Sequence, residues 1–217
     1  VFDVDRIRDG RSFSTRRVRA IQDGEAIFNS SISFQKREKG VNHQISMPDT
    51  PGPEGLLNEW QHREKISHKV DKKYLPVFLR EREIEMRPVE PQDFLNPQKA
   101  PPYKNTWMKP DGVMPKDEKI HQALLLYASD MGLIGTATNP HGLNFMSPYL
   151  QSASLDHATW FHSKLDFSDW LLHSIDSPIS GNARGFSRGS IYNKKGKLVA
   201  SCVQEGLIRV WDTPKPK

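Results

Sequence analysis

Cysteine is nearly absent: Cys202 is the single one in the chain. No internal disulfide framework can form, and a reducing compartment fits better than secretion. Long hydrophobic runs are missing too. The longest, Ala123 to Ala128, falls far short of the roughly 18 residues a membrane-spanning helix needs. No block of five or more like charges occurs. The patterns G-x-x-x-x-G-K-[ST] and H-E-x-x-H are absent, which removes a P-loop and a zincin site.

What remains is a folding chain of 217 residues, 36% hydrophobic and 26% charged. Its mean hydropathy of −0.65 is polar for a globular protein but short of disorder. The length suits one large domain or two small ones. Thirty-one Lys and Arg against 26 Asp and Glu give a net charge of +5. That balance suits a nucleic acid or a phosphate-bearing small molecule. The charges are spread along the chain, however, as on an ordinary solvated surface. Nucleic-acid binding would need aromatics and arginines clustered on one face, and the sequence has no such cluster.

Prolines divide the chain unevenly, with eleven of the 16 lying from Pro48 to Pro115. This stretch reads mostly as connection. Within it, Leu56, Leu57, Trp60 and Ile66 recur at helical intervals, predicting a linker helix inside 54–70. Ile84 to Val89 alternates like a strand, and Pro88 favours a sheet edge. The clearest helix runs from Asp117 to Gly132, with acidic residues at its start. Its stripe is Ile120, Ala123, Leu124, Tyr127 and Met131. With Leu125, Leu126 and Ala128 also apolar, the helix is expected to be wrapped on most sides. Strands are predicted over 150–162, 170–175, 184–193 and 197–210, the last two joined by the turn Asn193-Lys194-Lys195-Gly196. One buried helix with long antiparallel strands implies an α+β fold whose sheet curls around the helix, as in a hotdog. Arg11-Ser12-Phe13-Ser14 and Arg184-Gly185-Phe186-Ser187 each open a hairpin, and their Phe-to-Gly spacings differ by one residue. Two lobes of one design are therefore expected.

Two side chains stand out chemically. Asp130 lies on an apolar face near a helix C-terminus, where the dipole disfavours a carboxylate; the plain alternative is exposure at a fraying end. Gln204 places an amide in the β row of Leu198, Ala200, Cys202 and Ile208, where it must find hydrogen-bond partners; a purely structural amide fits equally. Ser154 is hardly distinguished by its surroundings. Cys202 lacks an adjacent base and sits on an apolar face, unlike a nucleophile. His157 and His162 should point to opposite faces of one strand and so share no metal. Arg16, Arg17 and Arg19 could meet phosphates or simply form a solvated strand face.

Taken together, Gly10-Arg11-Ser12-Phe13-Ser14, Ser33-Phe34-Gln35, His43-Gln44, Met47-Pro48, Tyr127-Ala128-Ser129-Asp130, Leu155-Asp156-His157 with Trp160-Phe161-His162, Ala183-Arg184-Gly185-Phe186 and Val203-Gln204-Glu205-Gly206 resemble the acyl-CoA thioesterase II family. The resemblance runs from Val1 to about Val210. It implies a double hotdog that hydrolyses acyl-CoA to a free fatty acid and CoA. Asp130 would be the catalytic base on water, Ser154 a positioning hydroxyl and Gln204 an amide that helps hold that water. No cofactor is implied, CoA being part of the substrate, and a homodimer or higher homo-oligomer is expected. Family members carry a further N-terminal stretch with the first lobe's helix, so the expected organisation is a partial first lobe over 1–45, a linker with a short helix over 46–80, and a complete second lobe over 81–212. Without a C-terminal Ser-Lys-Leu, a cytoplasmic enzyme is favoured over a peroxisomal one. A non-catalytic acyl-CoA-binding or assembly hotdog is the alternative.

Overall fold

A computed structural model describes residues 1–213. They form two compact units, Val1–His43 and a second beginning at Gln44. The first contains β1 (Phe2–Asp9), β2 (Phe13–Gln22) and β3 (Glu25–Gln35) in one antiparallel sheet. Asp23 and Gly24, with φ of 50° and 85°, supply the two left-handed residues that a tight hairpin turn requires. Of the three basic residues, Arg16 pairs with Asp9 at 2.5 Å and Arg19 with Asp3, so two are occupied by carboxylates across β1 and β2. Phe2, Phe13, Phe28 and Phe34 of this unit are exposed.

The second unit holds four helices, α1 (Glu59–Ile66), α2 (Leu75–Phe78), α3 (Glu118–Ser129) and α4 (Leu133–Thr138). Its seven strands are β4 (Ile84–Pro88), β5 (Tyr103–Pro110), β6 (Leu150–Ser154), β7 (Ala158–Phe161), β8 (Leu171–Gly181), β9 (Arg184–Asn193) and β10 (Leu198–Val210). The antiparallel order is β4-β5-β8-β9-β10-β6, with β7 also paired to β10. β4 is the edge that Pro88 suggested. On the inner face Met86, Met108, Leu171, Ile191 and Ala200 pack with Leu125 and Ala128 of α3. On the outer face Trp107, Leu172 and Tyr192 are covered by Met47, Leu56 and Trp170. The Trp107 indole also donates to Pro51 O at 2.8 Å, tying the proline-rich segment to that face.

Four expectations need correction. β5 lies within the stretch read as connection: Pro101, Pro102 and Pro110 bracket it, and Asn105 to Met108 are all buried, so no alternation marks it. The predicted strand 150–162 is two strands, broken at Leu155–His157. The helix presents only part of its predicted stripe inward: Leu124 and Met131 pack against the core, whereas Ile120 and Tyr127 are 47% and 54% exposed. Nor is it wrapped on most sides. His121 takes the inward place because its ring is satisfied by backbone, accepting from Phe167 N at 2.9 Å and meeting Pro115 O at 2.7 Å. Finally, Leu198 does not share the Gln204 face. A bulge between Leu198 and Ala200 puts Val199 and Ala200 in the inner core and Leu198 against the outer one.

Close approach of α4 to the sheet depends on two glycines. A Cβ on Gly185 would lie 2.6 Å from Ala137 Cβ, and one on Gly206 2.6 Å from Ile134 Cγ1. Both contacts are shorter than packed atoms allow, so no larger residue fits without moving α4. This settles the helix against β9 and β10, beside the end of α3.

Candidate active site

Asp130 caps the C-terminus of α3. Two residues on, Gly132 adopts φ of 94° and redirects the chain into α4. Ser154 ends β6, where the chain leaves the ladder. Leu155 N donates to Glu205 O at 3.0 Å, and Asp156 Oδ1 accepts from Glu205 N at 2.8 Å, so the break is pinned to β10 immediately beside Gln204. Gln204 itself is 1% exposed. Its Nε2 donates to Asp130 Oδ1 and, at 3.3 Å, to Ser154 Oγ. The three residues that the family resemblance implies thus meet at one amide, while among the described residues the Gln204 Oε1 has no partner.

Asp130 and Ser154 line a cavity of about 460 Å³ that continues past Met131, Ile134, Leu150 and Phe145. Mixed apolar walls with a few convergent polar groups suit an organic ligand. Behind Asp130, the wholly buried Ser129 donates from Oγ to Leu126 O at 2.9 Å and lies 3.2 Å from His157 Nε2 and 3.3 Å from Thr159 Oγ1. Burial holds the His157 imidazole below its ordinary pKa, against the opposing charges of Asp130 and Asp156. In the sequence His157 stands as a possible metal ligand and within the Leu155-Asp156-His157 motif; its position three residues after Ser154 is the signal for a place beside the site.

The other candidates separate from this group. His162 contacts Ser201 Oγ at 2.8 Å, away from His157, and among the described residues no three metal-ligating side chains are grouped. Burial pushes the Cys202 thiol up to about 12, the nearby Asp130 charge adding to the rise, so it carries no thiolate near neutrality. Cys202 Sγ lies 3.5 Å from Nε2 of the buried His173. Burial drives that imidazole down to about 3, with the charges of His157 and Lys104 reinforcing the shift. A pair of a protonated thiol and a neutral imidazole is a packing contact, not an activated nucleophile.

Residues 76–207 match the family model for acyl-CoA thioesterase, and residues 1–35 match that for the acyl-CoA thioesterase N-terminal domain. The chain belongs to the acyl-CoA thioesterase family. An acyl-CoA thioesterase 2 from Haemophilus influenzae is 37% identical over 209 residues, covering 96% of this chain and 73% of that protein. Acyl-coenzyme A thioesterase 8 of Mus musculus is 36% identical, covering 97% of this chain and 68% of its own length. Among solved structures, an acyl-CoA thioesterase II from Mycobacterium marinum superposes with a TM-score of 0.75 at 36% identity, over 97% of this chain and 74% of that one. A hotdog protein from Alicyclobacillus acidocaldarius, 17% identical, matches with a TM-score of 0.70 over 96% of this chain and 72% of that one. The fold of this acyl-CoA thioesterase family member is therefore the hotdog, with α3 against the curled sheet. Among the described residues no helix is long and apolar enough to cross a membrane.

Proposed function

We propose that the chain hydrolyses acyl-CoA thioesters to a fatty acid and CoA, using a water activated by Asp130 and aligned with the help of Ser154 and Gln204. The observation that carries this reading is the shared amide. Gln204 Nε2 donates to both Asp130 and Ser154, so a carboxylate and a hydroxyl face one cavity in fixed relation. Because Nε2 serves those two acceptors, Gln204 acts as a positioning residue: it orients the base and leaves the second Asp130 oxygen for water. Ser154 Oγ accepts from the amide, which frees its own proton to point at the reacting centre.

The steps balance without a covalent enzyme intermediate. Water attacks the thioester carbonyl carbon while Asp130 takes one proton, and the carbonyl π electrons move to oxygen. The tetrahedral intermediate re-forms the carbonyl and breaks the C–S bond. The departing CoA sulfur then takes the proton from Asp130, giving a carboxylic acid and a thiol. A thioester is activated enough that a positioned general base, contributing about 10²- to 10⁴-fold, accounts for much of the chemistry. No cofactor is needed in this scheme. A cytoplasmic location belongs to the same reading, supported by the single buried cysteine and by the bacterial relative, and so does assembly as a homodimer or larger homo-oligomer.

Thiol release from palmitoyl-CoA tests the proposal. The chain should release CoA, and Asp130→Asn, a near-isosteric change at an exposed helix end, should lose at least about 100-fold in kcat with an unchanged circular dichroism spectrum. Near-normal turnover in that variant removes Asp130 from the role of base. Palmitoyl-CoA binding without release by the unaltered chain would favour the binding-module alternative.

A further inference from the structure

Ser129 and His157 belong to the two stretches of sequence, Tyr127-Ala128-Ser129-Asp130 and Leu155-Asp156-His157, that flank the site, yet neither lines the cavity that Asp130 and Ser154 share. They meet behind it, where α3 ends and the chain breaks between β6 and β7. β6 stays paired as far as Ser154 opposite Gly206, and β7 resumes at Ala158 opposite Val203. Leu155, Asp156 and His157 therefore stand against only Gln204 and Glu205. One extra residue in a strand kinks it and re-aims the side chains that follow. Leu155 and Asp156 are fixed to Glu205, and Thr159, opposite the buried Cys202, reaches Ser129. His157 is left to turn its ring toward the same serine.

Three polar side chains close on one another there. His157 Nε2 lies 3.2 Å from Ser129 Oγ and 3.4 Å from Thr159 Oγ1, and the two hydroxyls are 3.3 Å apart. Ser129 Oγ spends its own proton on Leu126 O at 2.9 Å. The imidazole must then donate, because an unprotonated Nε2 would set its lone pair against that of the oxygen. One such hydrogen bond adds modestly to stability, but this one joins the segment just after Ser154 to the residue just before Asp130. Gln204 reaches both of those side chains with one nitrogen. It can serve both only while their separation holds.

We infer that His157 is a positioning residue: through Ser129 it holds the end of α3 against the segment that carries Ser154, and so sets the distance between Asp130 and Ser154 across the Gln204 amide. It touches neither the water nor the thioester. Its effect on rate rests on the hydrolase reading; the brace itself does not.

Palmitoyl-CoA hydrolysis and thermal melts of the unaltered chain, His157→Leu, His157→Gln, Ser129→Ala and the double variant His157→Leu/Ser129→Ala test it. A base and a hydroxyl out of register slow turnover without weakening binding, so kcat should fall about tenfold or more in His157→Leu while KM stays within about twofold. Glutamine offers an N–H donor at a similar reach and should bring kcat to within about threefold of the unaltered chain. Ser129→Ala should lose as much as His157→Leu, and the double variant no more than either, since the two side chains act as one unit. A lowered melting temperature with kcat unchanged, a His157→Gln variant no faster than His157→Leu, or losses that multiply in the double variant overturns the role. Should His157→Leu fail to fold, Ser129→Ala, which deletes a single oxygen, decides alone by the same kcat criterion. If the unaltered chain releases no thiol, the hydrolase reading fails separately, and amide hydrogen exchange decides the brace. Met131 N, bonded to Ala128 O at 3.1 Å, and Leu155 N, bonded to Glu205 O at 3.0 Å, should then exchange at least about fivefold faster in Ser129→Ala than in the unaltered chain. Unchanged exchange overturns it.

Discussion

His157 and Ser129 meet at 3.2 Å, Nε2 to Oγ, one residue along the chain from Asp130. The serine hydroxyl gives its proton to Leu126 O, so it can only accept from the imidazole. That contact fixes the neutral ring with its proton on Nε2 and braces the last turn of α3 against the break between β6 and β7. Asp130 is thus held by the Gln204 amide in front, and the helix end that carries it by this buried hydrogen bond behind.

Gln204→Leu should separate catalysis from stability. The substitution removes the donor that orients Asp130 and also a buried carbonyl oxygen that has no partner. An unpaired buried acceptor costs about 1–3 kcal/mol, so thermal stability should stay level or rise, while kcat falls by roughly tenfold or more. A thermal melt and a thiol-release assay on one preparation check both. Parallel loss of stability and activity would make Gln204 a structural residue only.

Ser154 is exposed at the end of β6, so changing it should leave stability within about 0.5 kcal/mol. Ser154→Thr keeps the hydroxyl and should retain most activity. Ser154→Ala should lower kcat by about tenfold or more. Equal activity in the two variants would show that the hydroxyl is dispensable.

His173 makes stability depend on pH. Burial lowers its pKa to about 3 in the folded chain from the ordinary 6.5, so between these pH values the unfolded chain binds the extra proton. The stabilisation is complete above the unfolded value and is lost as pH falls through this window. The slope is about 1.4 kcal/mol per pH unit for one proton. Urea titrations of the unaltered chain and of His173→Gln between pH 4 and pH 6.5 should differ in slope by up to that amount; identical slopes would contradict the assignment.

Cys202 should resist alkylation. Its thiol is buried and raised to about 12, so iodoacetamide at mildly alkaline pH should leave the folded chain unmodified by mass spectrometry and label it fully in denaturant. Rapid native labelling would mean that β10 and α3 separate readily.

Much of this arrangement was legible in the sequence, and for local reasons. β9 spans Arg184–Asn193 as its alternation indicated, and the Asp117–Gly132 helix is present as Glu118–Ser129 with Asp130 at its cap. Asp130 and Gln204 drew notice because each violates its immediate pattern, a carboxylate at the wrong helix end and an amide in an apolar row. Ser154 violates nothing and was legible only through the resemblance. β5 was hidden because covering both faces of a strand erases alternation. The inward side of α3 was misread because His121 becomes a core residue only through backbone partners, one of them, Phe167 N, distant in sequence.

The bulge at Val199 reaches further than local geometry. Strand residues alternate sides, so one inserted residue reverses the facing of all that follow. Counting back from the Asn193–Gly196 turn, an uninterrupted β10 would send Ala200, Cys202 and Gln204 outward with Leu198. The extra residue is in effect a parity switch: Gln204 reaches Asp130 because the ladder miscounts once, at Val199, between the turn that sets the pairing and Gln204. A shortened hairpin lacking Val199 would keep every turn residue, with Asp130, Ser154 and Gln204 all in the chain, and still present the wrong face of β10 to the helix.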